Sequence, residues 1–396
     1  MTTTVKAASA AEFLSLVPLM LGFRPSDSLV LIPFDGSRSL GAMRVDLPRP
    51  DTDESDALES AASTLLGMMC RVPHADAFAM VVYTDVRFAD EGDAPHRRLI
   101  QAMQRHADAC GVRVNDALCV APDAWGSYLD PLSPDAGHPL SEIGWESSDL
   151  DLPEPDADQR VGAELPEVSA TQRESAERAF RAFASAVEIV CGPDAATTAS
   201  SATNSAATPD NDDHRIDPQA LSVVCELDDL PELFEGALSW NPVSLAPYEA
   251  ALLGWCLARP ALRDIALVQW SDGLEVGDDA LDAQLRWEAG EEYPTHLAMR
   301  MWGEGEPPDA DRLVLALDLV RHVAAIAPRD LRPGALAAAA WLSWALGRST
   351  HAERYAHQAC EINPEHGLSE IVLSFVSAGH LPDWAFRPRP ARRIAN

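Results

Sequence analysis

Apolar and polar positions change period several times along this chain, and the changes mark out its elements. Ser9 and Glu12 have the spacing of a capping box, in which two side chains satisfy amides at a helix start. The apolar run behind them predicts a helix. Pro18 lacks an amide N–H, so it should break or kink that helix and open a second short one. Gly22 is placed as the C-cap, where a left-handed backbone costs least without a Cβ. Arg24-Pro25-Ser26-Asp27 reads as a turn and Ser28–Phe34 as an apolar strand. Asp35-Gly36 marks a tight reversal into a returning strand, Leu40–Leu47. There Arg44 and Asp46 alternate with Met43, Val45 and Leu47, the period of a half-buried strand.

Asp56–Arg71 has helical spacing, with Leu58, Ala62, Leu65, Leu66 and Met69 on one face. Ala77–Tyr83 is apolar throughout and suits a strand buried on both faces. Pro95–Cys110 reads as a second amphipathic helix, Asp116–Pro122 as a further strand, and Trp125–Leu129 as a segment pairing back on it. The order predicts an α/β domain with a mixed sheet over residues 1–132. Residues 133–170 change character. From Asp130 to Ala170 there are eleven acids against one base, Arg160, with Pro and Gly throughout, as in a long loop or linker.

The remainder, residues 171–381, reads as helices: 171–190, 217–237, 246–258, 262–270, 278–287, 309–326, 334–346, 351–361 and 365–378. A low-complexity insertion at 193–213 interrupts them; nearly devoid of large apolar side chains, it cannot offset its ordering entropy. Residues 382–396 read as a frayed tail. The expected fold class is α/β plus α: a mixed-sheet domain followed by an all-helical one.

Charge narrows the functions open to such a chain. The 396 residues carry a net charge of −32. That field repels phosphate backbones and anionic leaflets, so neither nucleic acid nor a membrane surface is an expected partner. No apolar run approaches the roughly 20 residues of a membrane span, and MTTTVKAASA lacks the apolar core of a signal peptide, which points to the cytoplasm. Lys6 is the single lysine against 29 arginines, a bias that GC-rich codon usage produces. The seven cysteines are widely spaced without a CxxC, against a disulfide framework or zinc site, and most sit in apolar stretches as buried thiols do.

No P-loop, HExxH, GxSxG or dinucleotide fingerprint occurs, and the eleven histidines are scattered. No catalytic residue, metal site or cofactor is therefore assigned. Four constellations remain. Arg24, Asp27, Arg44 and Asp46, with Ser28, lie near one strand pair and can grip a carboxylate or phosphate, or pair with each other to fix the turn. Thr84 and Asp85, with Arg87, follow the most buried strand, and Asp123 and Trp125 follow its probable parallel neighbour. In open α/β sheets ligands gather at that edge. Arg263-Asp264 opens a helix and reads as a buried clamp between helices. Trp240, Trp255, Trp270, Trp287, Trp302, Trp341 and Trp344 either line a groove or fill gaps between helices.

The segment FLSLVPLMLGFRPSDSLVLIPFDGSRSLGAMRVD resembles the opening block of an actinobacterial family, domain of unknown function 4192. The likeness recurs in VVYTD, in LRDIAL and from Pro333 to Leu381, and so covers nearly the whole chain. The chain departs from the family pattern in APDAWGSYLDPLSPDAGHPL, which lacks the usual Cys, and in the insertion after Gly192. The resemblance implies kinship and architecture; it implies no activity. Gly347, Ala352, Ala356, Ala359 and Pro364 are similar in spacing to a tetratricopeptide repeat, a helix pair of about 34 residues, with one unit visible.

The expectation is a non-enzymatic interaction or regulatory protein whose helical half docks a protein partner. The alternative is a small-molecule-binding protein, or an unrecognised hydrolase or transferase, with a site at the carboxyl ends of the N-terminal strands. A small acidic metabolite is the expected ligand of that site.

Overall fold

The computed structural model describes residues 7–48, 55–144, 154–192, 217–385 and 387. The chain divides into two compact units, the first ending at Val161 and the second spanning Gly162–Ala385.

The first unit opens with α1 (Ala10–Leu21). Half of the expected capping box forms: the Ser9 hydroxyl accepts from the Glu12 amide, but the Glu12 carboxylate accepts from Ala8 N–H, one residue before the N-cap, rather than from Ser9. Gly22 is the left-handed C-cap (φ 81°). Pro18 does not break the helix as expected. It is buried inside one continuous α1, whose single lost bond is tolerated four residues from the C-cap. Strands β1 (Ser28–Asp35), β2 (Arg38–Ser39) and β3 (Met43–Asp46) follow; the returning strand is split around Gly41, which has φ 144°. Then come α2 (Ser55–Cys70), β4 (Ala77–Tyr83), α3 (Phe88–Glu91), α4 (Arg97–Cys110), β5 (Arg113–Val120) and β6 (Trp125–Ser127).

The sheet order is β2-β1-β4-β5-β6, with β3 beside β1. Among these strands β4 and β5 run parallel, and the other pairings are antiparallel. One face carries Val30, Ile32, Val81, Tyr83, Leu118 and Trp125 and is covered by Leu14 and Val17 of α1. The alternate positions Leu29, Leu31, Met80 and Val82 are equally buried; α4 packs along β5, and α2 packs on α4. The acidic segment expected as a linker is divided. Phe23 bridges Asp156, and Gln159 bonds Ser26, so residues 154–161 belong to the first unit. The carbonyls of Gly162 and Glu164 accept from Arg321 in the second.

The second unit is helical: α5 (Ala170–Cys191), α6 (Pro218–Val224), α7 (Leu230–Ala237), α8 (Pro247–Leu257), α9 (Pro260–Asp272), α10 (Leu274–Glu288), α11 (Thr295–Met301), α12 (Ala310–Ile326), α13 (Pro333–Ala345), α14 (Ser349–Ile362) and α15 (Gly367–Ser377). The helix expected over 217–237 breaks at Asp229, which caps α7 through the Glu232 amide. Its centre is α13, buried along its whole length. Ala352, Ala356 and Ala359 of α14 are fully buried, small residues that let α14 approach α13 closely. The insertion at 193–213 lies outside the described residues. The expected tail begins later than Pro382: Trp384 is buried and donates to the Ala345 carbonyl at 2.9 Å.

The tryptophans divide. Trp270, Trp341 and Trp344 are wholly buried, each indole N–H donating to a backbone carbonyl, whereas Trp287 and Trp302 are about half exposed. The Arg263–Asp264 clamp closes between neighbours within α9 rather than between helices (2.9 Å). The thiols also differ from expectation. Cys119 and Cys256 are buried, but Cys70, Cys110 and Cys191, the last residues of their helices, and Cys225, just past the end of α6, are exposed.

Candidate functional site

Two constellations that lie far apart in sequence share one edge of the sheet. Because β4 and β5 are parallel, both end there. Because β1 and β6 run against their neighbours, both begin there, and β3 ends there. Register places Asp46, Ser28, Tyr83, Val120 and Trp125 in one row across five strands, and paired residues share a face. Arg24 and Asp27 precede the row, Arg44 stands two residues inside it, Thr84 and Asp85 leave it, and Asp123 sits in the β5–β6 turn. The topology thus gathers all eight candidates at one rim.

Several of them are bound to each other or to backbone. Arg44 is 10% exposed; its Nε donates to Ser28 Oγ at 2.6 Å, and its guanidinium pairs with Asp46. Ser28 Oγ donates in turn to the Ser26 carbonyl. Asp123 accepts from the amides of Phe88 and Ala89, both at 3.1 Å, and so anchors the first turn of α3. Burial pulls its pKa upward, but those amides and Arg87 outweigh this and hold the carboxyl below the ordinary range. Trp125 stacks on His138 with ring centroids 4.6 Å apart. Asp27, Asp46 and Asp85 keep exposed carboxylates.

His96 joins the rim without having been anticipated. Its Nε2 lies 3.0 Å from Thr84 Oγ, which also accepts the Val86 amide. Burial lowers the imidazole pKa, opposed by the charges of Glu91 and Asp27, so at neutral pH the ring is uncharged and can accept the Thr84 proton. Asp27 and His96 both hold a left-handed backbone (φ 43° and 58°), which non-glycine residues seldom adopt away from constrained sites. No local motif marks His96; its place depends on the crossover from β4 to α4.

Two further side chains carry buried polar atoms without partners: Tyr83 Oη and Trp125 Nε1. Both lie in the rim row on the α1 face, separated by Val120. Burial pushes the Tyr83 phenol far upward, so it stays a neutral donor. Outside β6 lies a cleft of about 220 Å³, lined among others by Phe88, Arg97, Tyr128, Asp130 and Pro134. None of the eight candidates lines it, although Phe88 is held by Asp123. Among the described residues no group of three or more His, Cys, Asp or Glu is placed to hold a metal ion, and no helix is long and apolar enough to cross a membrane.

The molecule is therefore an α/β protein with an added helical unit, whose polar candidates meet at one sheet edge. A family model described as domain of unknown function (DUF4192) matches residues 11–383, and the chain belongs to that family. No curated protein and no solved structure shows significant similarity to it.

Proposed function

We propose that this is a binding protein whose first unit holds a small polar ligand at the rim. The observation that carries the reading is the pair of unpartnered buried donors, Tyr83 Oη and Trp125 Nε1, in one register row. A buried polar group without a partner costs free energy, which a ligand acceptor would recover. Exposed Asp27, Asp46 and Asp85 surround the row, and Arg44 is already engaged. These charges favour an uncharged ligand with carbonyl or hydroxyl oxygens over the acidic metabolite expected from sequence. The bonded roles of Asp46 and Asp123 support binding rather than catalysis.

Tyr83→Phe separates this reading from a structural one. Without ligand the variant should be as stable as the wild type or more so, by about 1 kcal/mol, since it removes an unpaired hydroxyl. Thermal unfolding with a panel of sugars, nucleosides and amino-acid amides should raise the wild-type midpoint for at least one class and leave Tyr83→Phe unmoved. A variant that loses stability and keeps the ligand response would sink the proposal.

Docking through the helical unit has an observation of its own. Trp302, 49% exposed, packs on Phe375 at 5.2 Å, and Ile371, one turn earlier on α15, is 39% exposed. Exposed aromatics beside aliphatics are the composition of protein interfaces.

A further inference from the structure

Residues 162–168, with the sequence GAELPEV, form neither helix nor strand and lie just before α5. Leu165 precedes Pro166, which biases it toward extended backbone. Among the described residues no backbone group of this segment bonds to another backbone group. Side chains of the second unit hold it instead. Arg321, on α12, donates from Nη2 to the Gly162 carbonyl at 2.7 Å and to the Glu164 carbonyl at 2.6 Å. Arg354, on α14, pairs with the Glu164 carboxylate at 2.9 Å. His351, one turn earlier on α14, stands beside Gly162: a Cβ added there would meet its Cε1 at 3.8 Å. Ala163 is fully buried, and Leu165 and Val168 pack on the core of the helical unit.

Such a seat reads main chain and charge. In an extended chain the carbonyls of residues two apart leave on one side, so one guanidinium takes both, whatever side chains they carry. Arg354 then selects a carboxylate, and the core under Leu165 selects an apolar neighbour. Main-chain bonds for affinity, with side-chain contacts for specificity, are how proteins hold extended peptides. The segment leaves part of the seat unused. Arg321 Nη1 reaches Asp318 at only 3.4 Å, and its Nε is buried without a partner, a state that costs free energy. Because side chains alone hold the segment, it leaves without breaking a helix or a sheet.

We propose that residues 162–168 are a displaceable strap, and that the seat they fill on α12 and α14 takes an extended acidic peptide of a partner protein. The strap displays the chemistry of that partner: open main chain, a glutamate for Arg354 and an apolar residue after it. Its tether gives it a high effective concentration, so it competes within the molecule and closes the seat to weak ligands. Binding here requires no ligand at the rim.

The test is fluorescence polarisation of a labelled peptide, GAELPEV, with the full chain. Glu164→Gln weakens the strap and leaves the seat intact. It should bind the peptide about tenfold more tightly than the wild type does, the change that one charged hydrogen bond makes. Arg354→Gln weakens strap and peptide alike, so alone it should bind as the wild type does. Added to Glu164→Gln, it should cost that gain. The peptide GAQLPQV should bind the Glu164→Gln chain about tenfold more weakly than GAELPEV does. The Glu164 side chain is 62% exposed, so its exchange leaves the fold in place, and a cooperative thermal transition checks this for each variant. Absence of saturable binding to Glu164→Gln, or equal affinity of that variant and the wild type, would overturn the assignment.

Discussion

Gly334→Ala is expected to destabilise the helical unit by about 3 kcal/mol, at the upper end for overpacking a close-packed site. In an exposed helix the same exchange would stabilise by about 1 kcal/mol, because alanine loses less backbone entropy. Here the added Cβ would stand 2.3 Å from the Leu257 carbonyl oxygen, 2.6 Å from its carbon and 2.8 Å from Ala258 Cα. All three are backbone atoms, so no rotamer change relieves the clash. Nor can α13 move away, because every residue from Pro333 to Ala345 is buried. Gly236, within α7, supplies the comparison: its added Cβ would meet nothing within 4 Å. Gly236→Ala should be neutral to mildly stabilising in the same denaturant titration. If both variants lost equal stability, the contact between α8 and α13 would not be as described.

Lowering the pH from 7 to 4 should cost the helical unit more than its carboxylates explain, and His366 is the cause. Its Nδ1 lies 3.1 Å from the hydroxyl of fully buried Ser369. Burial and then the positive charge of Arg263 push its pKa down to about 4, from an ordinary 6.5. Above 6.5 the ring is neutral in both states and contributes nothing. Between 6.5 and about 4 the unfolded chain binds a proton that the folded chain refuses, so stability falls as pH falls. Below about 4 both states are charged and the loss levels off, at roughly 3 kcal/mol. Burial also raises the pKa of Asp264, and by the same linkage that group favours the folded state as pH falls; it opposes the loss and is common to wild type and variant. Urea unfolding at each pH should show a steeper acid loss in the wild type than in His366→Gln, because the carboxylate contributions are common to both. Parallel curves would mean that His366 is not held neutral by the fold.

Local order was legible in the chain because the forces that set it are local. The apolar run Ala77–Tyr83 is the strand β4, residue for residue, and the Ser9 N-cap and the Gly22 C-cap stand where their chemistry puts them. What failed to show depends on distant partners. Pro18 continues its helix because it is buried in the core beside Leu14 and Val17. Trp384 orders a segment that reads as a tail because Ala345 offers a carbonyl and Arg300 lies 4.6 Å above its ring. The rim residues were individually visible as polar side chains at strand ends. Their meeting at one edge was not, since it follows from β1 pairing antiparallel with β4 across nearly fifty residues. Tyr83 was read simply as the last apolar position of its strand, and nothing local sets His96 apart.

The most direct test of the rim is a nuclear magnetic resonance titration of the full chain with its tryptophan indoles labelled with nitrogen-15. Ten tryptophans give ten reporters, one of them the unpartnered Trp125 in the rim. Sugars, nucleosides and amino-acid amides would be added in turn, with dicarboxylates as the charged comparison. An uncharged ligand should move the Trp125 indole saturably, move the His96 ring signals with it, and leave Trp302 in place. If Trp125 responds to no addition, or only the tryptophans of the helical unit respond, the rim is a structural edge and not a binding site.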